Sequence, residues 1–408
     1  MIFFNIAWHN LIRNGRRTFS TLLAILLGVS MIMFVNAFNS SLTNGWAGGI
    51  INGSDGHFKM RHALYNRYAT TDMERVLIED PGAMSTELMK NPHVVGVMSR
   101  IQFGGLLGQE DKSTTFFGSA IDVSVMNTVI PENGESLVKG KNLTADDPTG
   151  ALLGQLLAES LNVDVGDELV ILSNSIYSEQ SAVVVNIRGL ISIPGAAELE
   201  RMLLITDITQ IQNDLLDAGS SATELIVRLD DIDNLEETMV WVDRHFEELD
   251  IPLKAVPWYD DKIFQQVTGL FNAIGLVISI VLSLIVGVVI SNAMMMSVFE
   301  RIREIGTIRS IGSEKTQVYK IFYSEALITT VLGIILGLVV GSLLVYITGK
   351  TGISMPGEGG EPVTLYPTVR IKDLIGSSVF PFIITMIAVY FPVKSSCKLT
   401  IIDALNYR

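Results

Sequence analysis

Cysteine is nearly absent from this chain. One Cys, Cys397, stands among 408 residues, so no intrachain disulfide can form and every folded part must rest on its own core. Histidine is scarce too, with five residues. His57 and His62 lie close together, but no Cys and no fixed pair of carboxylates accompanies them, so no metal centre is expected there. A phosphate-binding loop is also missing. Gly349-Lys350-Thr351 ends like one, but Leu344 stands where G-x-x-x-x-G-K-T requires Gly. No ATP hydrolysis, cofactor or metal is therefore expected in this chain.

The most telling absence is of charge. Residues 18–54, 263–299, 326–349 and 374–393 contain no Asp, Glu, Lys or Arg. Each run holds about 20 predominantly apolar residues, the length that crosses a ~30 Å hydrocarbon core. The chain as a whole is 48% apolar with a mean hydropathy of +0.40, too apolar for a soluble protein and too charged for one that is all membrane. Four membrane helices are expected, at 19–40, within 263–297, at 321–348 and at 374–393. The run 263–299 would be roughly 55 Å long as a helix. Gln265, Gln266, Thr268 and Asn272 occupy its first part, so a stalk leading into the span is expected; a helix broken near Gly269 is the alternative. The first run follows Arg13, Arg16 and Arg17 but is long and lacks a clean small-residue cleavage site. It reads as a retained helix rather than a signal peptide.

Charge returns unevenly. Segments 1–18, 298–320 and 394–408 together carry 11 Lys/Arg against four acids, Glu300, Glu304, Glu314 and Asp403. Both termini and the 298–320 segment are therefore expected in the cytoplasm, with 349–373 as a loop on the other side. Residues 41–262 hold 35 acids against 15 bases, a net charge of −20. Such a domain would repel nucleic acid and suits a solvated extracytoplasmic location or basic partners.

Within that insert, residues 81–101 read as a short helix leading into a strand-rich run, and 223–258 as strand, amphipathic helix, strand. Leu235, Met239, Val242 and Phe246 recur at helical spacing while Glu236, Glu237, Asp243 and Glu247 take the other face. Residues 150–174 read as helix, turn and strand, followed by a strand over 181–191. The fold class expected is four transmembrane helices with a large α+β extracytoplasmic domain between the first two. A nested α/β subdomain is expected at about 131–202, with surface loops at 131–142 and 193–202.

The segment ERIREIGTIRSIG, residues 300–312, is charged yet places isoleucines at 302, 305, 308 and 311. On a helix these make a drifting apolar stripe, flanked by Arg301, Arg303 and Arg309. Glu300 with Arg303 and Arg301 with Glu304 are i,i+3 pairs, worth a few tenths of a kcal/mol each. Gly306 and Gly312 fit a short helix bent away from the spans; a plain connecting loop is equally open. Glu325, near the start of the third span, could pair with an arginine of this segment or snorkel to the interface. Gly333, Gly337 and Gly341 form a small-residue face, suited to close packing within one chain or against a second.

Glu300-Arg-Ile-Arg-Glu-Ile-Gly306, Ile308-Arg-Ser-Ile-Gly312 and Phe322-Tyr-Ser-Glu-Ala326 resemble the ER-x-REIG-x-xRA-x-G and F-x-x-EA signature of the FtsX/MacB/Lol superfamily of ABC transporter permeases. Ser310 departs from the usual Ala. The tail resembles the family's ending through Pro392, Asp403, Ala404 and Leu405. AWHNLIRNGRRTFSTLLAILLGV resembles the family's first helix, and GHFKMRHALY, residues 56–65, resembles a segment of lipoprotein-releasing, LolC/LolE-type permeases.

That resemblance implies a multi-pass permease subunit of the bacterial inner membrane. It implies a periplasmic domain with a porter-like part and an α/β insertion, and a cytoplasmic coupling helix that docks on an ABC ATPase, its stripe against the ATPase and neighbouring helix ends. Glu300, Arg301, Arg303, Glu304, Ile305, Gly306, Arg309 and Gly312 would carry the coupling, supported by Glu325. An ATPase subunit dimer would bind ATP and Mg, and closure would push on helices 2 and 3. A second permease copy, identical or diverged, a lipoprotein cargo, a periplasmic carrier and membrane lipid are the other implied partners. A MacB-like exporter of peptides or small molecules and an FtsX-like regulator of periplasmic hydrolases are alternatives within the family. A membrane-anchored sensor without a transport role is the alternative outside it.

Overall fold

A computed structural model describes residues 2–13, 15–69, 71–109, 112–131, 137–177, 179–193, 197–260, 262–310, 312–356 and 362–396. Among the described residues, four helices are long and apolar enough to cross a membrane: Gly15–Asp55, Phe264–Glu300, Lys315–Thr351 and Ile371–Lys394. They coincide with the four charge-free runs. The second is unbroken, one helix over Lys262–Glu300 that passes through Gly269 without interruption. A shorter helix, Ile2–Arg13, precedes the first long one.

The chain divides into two compact units. Residues 1–44, 266–353 and 364–408 form one; residues 45–265 and 354–363 form the other. In the helical unit, Ile25 and Val29 of the first long helix meet Val286, Ile290 and Met294 of the second, Phe322 and Ile334 of the third, and Val389 and Val393 of the fourth. The glycine face is used inside the chain, against the first long helix. A Cβ on Gly333 would come within 2.7 Å of Ile25, one on Gly337 within 2.7 Å of Val29, and one on Gly341 within 2.9 Å of Met33. Only hydrogen at these positions lets the two backbones approach so closely.

The other unit is built on a ten-stranded sheet. Its strands are β1 (Phe58–His62), β2 (Val94–Gln109), β3 (Lys112–Ile121), β4 (Leu137–Gly140), β5 (Gly150–Gly154), β6 (Glu168–Asn174), β7 (Gln180–Ile191), β8 (Leu203–Asp207), β9 (Glu224–Leu229) and β10 (Leu253–Pro257). The order is β10-β1-β9-β2-β3-β8-β5-β7-β4, with β6 bridging β2 and β7. β2 is the spine: its first half pairs with β9, its second with β3 and β6. Phe246 and Val242 of the amphipathic helix Leu235–Glu248, with Leu88 of the helix Pro81–Leu88, pack on Phe58, Met60 and Val227. A second core gathers Leu107, Phe116, Leu169, Ile171, Val185 and Ile187 beneath the helix Gln155–Leu161.

Residues 131–202 supply β4 to β7, which share this one sheet with strands from outside that range. Three local expectations need correction. Leu137–Gly140, within the stretch expected as a surface loop at 131–142, is the strand β4, paired with β7. Gly150–Gly154 is a strand, buried at every position, rather than the start of a helix; a short, wholly apolar run carries no period to separate the two. Glu200, expected on a surface loop, is fully buried. Its carboxylate accepts from the backbone N–H groups of Leu156 (3.2 Å) and Ile193 (2.9 Å) and from the Ser192 hydroxyl (3.1 Å). Three donors replace the water that charge would otherwise demand.

Candidate functional site

The segment between the second and third long helices folds into a short helix, Ile302–Ser310, one of the two readings the sequence leaves open. The preceding helix ends at Glu300 and Arg301 makes the turn. At the other end Gly312 adopts φ +103°, a conformation side chains resist, and Lys315 opens the next helix.

The stripe faces inward. Ile302 is 1% exposed and Ile305 6%, and Ile305 packs with Val298, Val318 and Phe322 of this chain's own helices. Of the two neighbours expected for the stripe, an ATPase and the neighbouring helix ends, these two residues have the second, and their burial is satisfied within the chain. Gly306 is buried beside them. The Ile308 side chain, Ile311, Cys397 and the tail with Asp403, Ala404 and Leu405 lie outside the described residues. The outward side is polar: Arg303, Glu304, Thr307 and Ser310 are exposed, while Arg309 is half-buried and engaged.

A network of charges fastens this helix to the rest of the bundle. Arg301 donates from Nε to Glu304 at 2.9 Å, one of the two expected i,i+3 pairs. The other pair gives way to a distant partner, because Glu300 accepts instead from Arg17 Nη1 at 2.9 Å. Arg17 Nη2 also donates to the Ser297 hydroxyl at 2.9 Å. Arg13 Nη2 reaches Glu304 at 2.9 Å. The Glu304 carboxyl is held below the usual carboxylate range by the hydrogen bond from Arg301 and, against partial burial, by the one from Arg13. At the centre lies Glu325, 1% exposed, with Oε2 at 3.4 Å from Arg301 and Oε1 at 3.5 Å from Arg17. Arg301 also covers the Phe322 ring at 5.6 Å. Glu325 therefore pairs with the segment, as one reading of its position had it, and takes a second cation besides. Arg13 and Arg17 entered the sequence reading only as markers of sidedness. They lie 291 and 283 residues from their partners, so no spacing betrays them.

A second buried charge cluster sits in the sheet unit. Arg100 of β2 donates from Nε to Glu224 at 2.8 Å, and from Nη1 to Asp55 at 2.7 Å and to the Ser54 carbonyl at 3.0 Å. Lys59 meets Asp55 at 2.7 Å and Arg61 meets Glu224. Arg100 and Glu224 are 3% and 0% exposed. The other candidates are accounted for locally. His57 and His62 each accept a backbone N–H on Nδ1, from Leu229 and Leu64, both at 3.1 Å. Gly349-Lys350-Thr351 ends the third long helix and makes no loop, and a Cβ on Gly349 would meet the Pro367 carbonyl.

Comparison with known proteins identifies the family of each part of the chain. Residues 18–244 match the MacB-like periplasmic core domain family, and residues 276–401 the FtsX-like permease C-terminal family. An uncharacterized ABC transporter permease of Methanocaldococcus jannaschii is 35% identical over 126 residues, 31% of this chain and 30% of that protein. The macrolide export ATP-binding/permease protein MacB of Rhodopirellula baltica is 31% identical over 148 residues, 36% of this chain and 20% of that protein. These two matches thus span a third or less of either relative. The lipoprotein-releasing system transmembrane protein LolC of Haemophilus influenzae is 21% identical over 417 residues, covering 94% of this chain and 92% of that one. With one family matching more than half the chain and the other its C-terminal helices, this protein belongs to the FtsX/MacB/Lol superfamily of ABC transporter permeases.

Proposed function

We propose that this chain is the membrane subunit of an ABC transporter that lifts lipoproteins out of a bacterial inner membrane. A separate ATPase pair binds ATP and Mg and hydrolyses the ATP, and a second permease copy completes the transporter. The observation that carries the reading is the short helix Ile302–Ser310, which offers a polar outer side while its apolar side and its charges are anchored within the bundle. A part built that way suits docking and the passing on of a push. The match with LolC, end to end on both chains, favours lipoprotein as cargo. Export of a macrolide or peptide is the second reading, favoured by the MacB-like core over residues 18–244.

In this reading both termini and the docking helix face the cytoplasm, as the excess of Lys and Arg there requires. The acidic sheet domain then faces the periplasm, where it meets the cargo and a carrier. Affinity purification from its source cells is expected to bring down an ATP-binding subunit and lipoprotein, identified by mass spectrometry. The charge reversals Arg303→Glu and Arg309→Glu are expected to lose the ATPase. Recovery without any ATP-binding subunit would favour a sensor and sink the proposal; recovery of the ATPase with a macrolide-responsive activity and no lipoprotein would favour the second reading. A Cys placed at Ser313 is expected to be shielded from impermeant thiol reagent in intact cells while one at Ser113 labels, and the opposite pattern would invert the orientation.

A further inference from the structure

The family resemblance leads one to expect a push delivered to the second and third long helices. The charge network includes a third recipient. Glu325 is the only acid in the helix Lys315–Thr351, and it is buried to 1%. Its two oxygens face guanidinium groups from two other elements, Arg17 of the first long helix and Arg301 at the root of the docking helix. We infer that Glu325 is the joint through which movement of the docking helix reaches the first and third long helices together, with Arg17 and Arg301 as its positioning residues. The inference rests on the proposed function, because it supposes a partner that moves the docking helix.

Three features of the geometry support it. First, the distances are matched: Glu325 stands 3.4 Å from Arg301 and 3.5 Å from Arg17, whereas each arginine makes its shorter bonds elsewhere, at 2.9 Å to Glu304 and at 2.9 Å to Glu300 and Ser297. Each arginine is thus held firmly to the docking segment or to the helix that leads into it, and only loosely to the third helix. The two guanidinium groups take different oxygens of one carboxylate, so a displacement of either alters the balance between two arrangements of the shared group.

Second, the carboxylate cannot part from both cations, since a buried charge without a partner is strongly disfavoured. When one arginine moves away, the carboxylate is left to the other, and the third helix stays tied to whichever remains in reach. Third, there is room for the shift. A recess of about 20 Å³ lined by Arg301, Glu304, Ile305, Val318, Ile321 and Phe322 adjoins the joint, enough for one water or for a small excursion of the guanidinium. Arg13, reaching Glu304 from the N-terminal helix, ties the same docking helix to the elements that precede the first span.

The test uses the full chain purified with its ATPase partner and reconstituted in lipid. Glu325→Gln keeps the shape and removes the charge; Arg17→Gln does the same from the other side, and Arg17→Lys restores the charge. The ATPase is expected to co-purify with every variant, because the polar outer side of the docking helix is untouched. Cargo-stimulated hydrolysis and cargo release are expected to fall about tenfold in Glu325→Gln and Arg17→Gln, the size of one charge-assisted contact, and to recover in Arg17→Lys. Wild-type stimulation in both Gln variants with the ATPase still bound would overturn the joint and leave the proposed function standing. Failure of the unmodified chain to bind any ATPase would instead overturn the function itself. Should Glu325→Gln fail to accumulate, the Arg17 pair decides: equal behaviour of Gln and Lys refutes the joint, and loss with Gln alone upholds it.

Discussion

Replacing Arg100 by Met tests whether the buried charge cluster holds the sheet domain together. The side chain is 3% exposed and its donors go to Glu224, Asp55 and the Ser54 carbonyl. Removing one partner of a buried ion pair costs about 3–5 kcal/mol, because the remaining charge stays buried. Here Asp55 keeps Lys59 and Glu224 keeps Arg61, so the loss belongs at the lower end, about 3 kcal/mol. For a domain of this size each kcal/mol shifts the melting point by about 2–4 °C, which gives an expected drop of roughly 6–12 °C.

Thermal unfolding of the purified full chain reports this well. Trp46, Trp241 and Trp258 lie in the sheet unit and Trp8 alone in the helical one, so tryptophan fluorescence follows the relevant transition. The pH dependence adds a second check. Burial by itself would raise the Glu224 carboxyl, but the charges of Arg100 and Arg61 outweigh it and hold the group below its ordinary value. A carboxylate depressed in the folded state stabilises fully above its unfolded pKa, about 4.3, and loses that contribution as pH falls through the folded value. The wild-type and Arg100→Met melting points should therefore converge in acid. A drop under about 2 °C at pH 7 would show that the cluster contributes no net stability, and a gap that persists in acid would show that the loss does not come from the ion pairs.

Other outcomes follow from contacts already described. Gly337→Leu is expected to splay the first and third long helices, since even a Cβ would meet Val29 at 2.7 Å and the Leu26 carbonyl at 3.0 Å; normal accumulation and protease resistance in membranes would contradict that packing. His57, pushed down to about 4 by burial with help from Arg228, is neutral in the folded domain, so stability should decline as pH falls from about 6.5 toward 4. His57→Asn, which keeps an acceptor for the Leu229 N–H, should flatten that slope in melting curves, and an unchanged slope would clear His57 of it. Ile305→Asp is expected to lower the amount of folded protein in the membrane, because its site is 6% exposed and offers no partner for a charge, whereas Arg303→Glu should leave the amount unchanged. Equal accumulation of the two by quantitative blotting would refute the inward-facing stripe.

Much of the architecture is legible in the sequence because its physics is local. A run without charge needs no partner to declare itself, and the amphipathic helix Leu235–Glu248 shows its buried face by spacing alone. What escapes is set by partners far along the chain. Gly150–Gly154 is buried on all sides by β7 and β8, so it shows no alternation. Glu200 looks like a solvated charge until the backbone amides around it are placed. Arg13 and Arg17 carry two readings at once: the excess of positive charge that orients a membrane protein also supplies the counter-charges for Glu300, Glu304 and Glu325. Only the folded chain reveals the second use.

The direction of the isoleucine stripe changes what docking can depend on. Had Ile302 and Ile305 pointed outward, hydrophobic burial would dominate the contact and favour a permanent one. With both sealed inside, the exposed residues among those described on this helix are Arg303, Glu304, Thr307 and Ser310, and under the proposed function these would meet the ATPase through charge and hydrogen bonds. Such contacts govern specificity and rate of association more than affinity, and exposed charges are screened by salt. The inner side of the same helix is shielded from salt, because Ile302 and Ile305 are buried, as is Glu325 of the third long helix beside them. Under the proposed function, one short helix would thus join an outer surface that a partner can grip and release to an inner surface anchored in the bundle, the combination a repeated mechanical cycle requires.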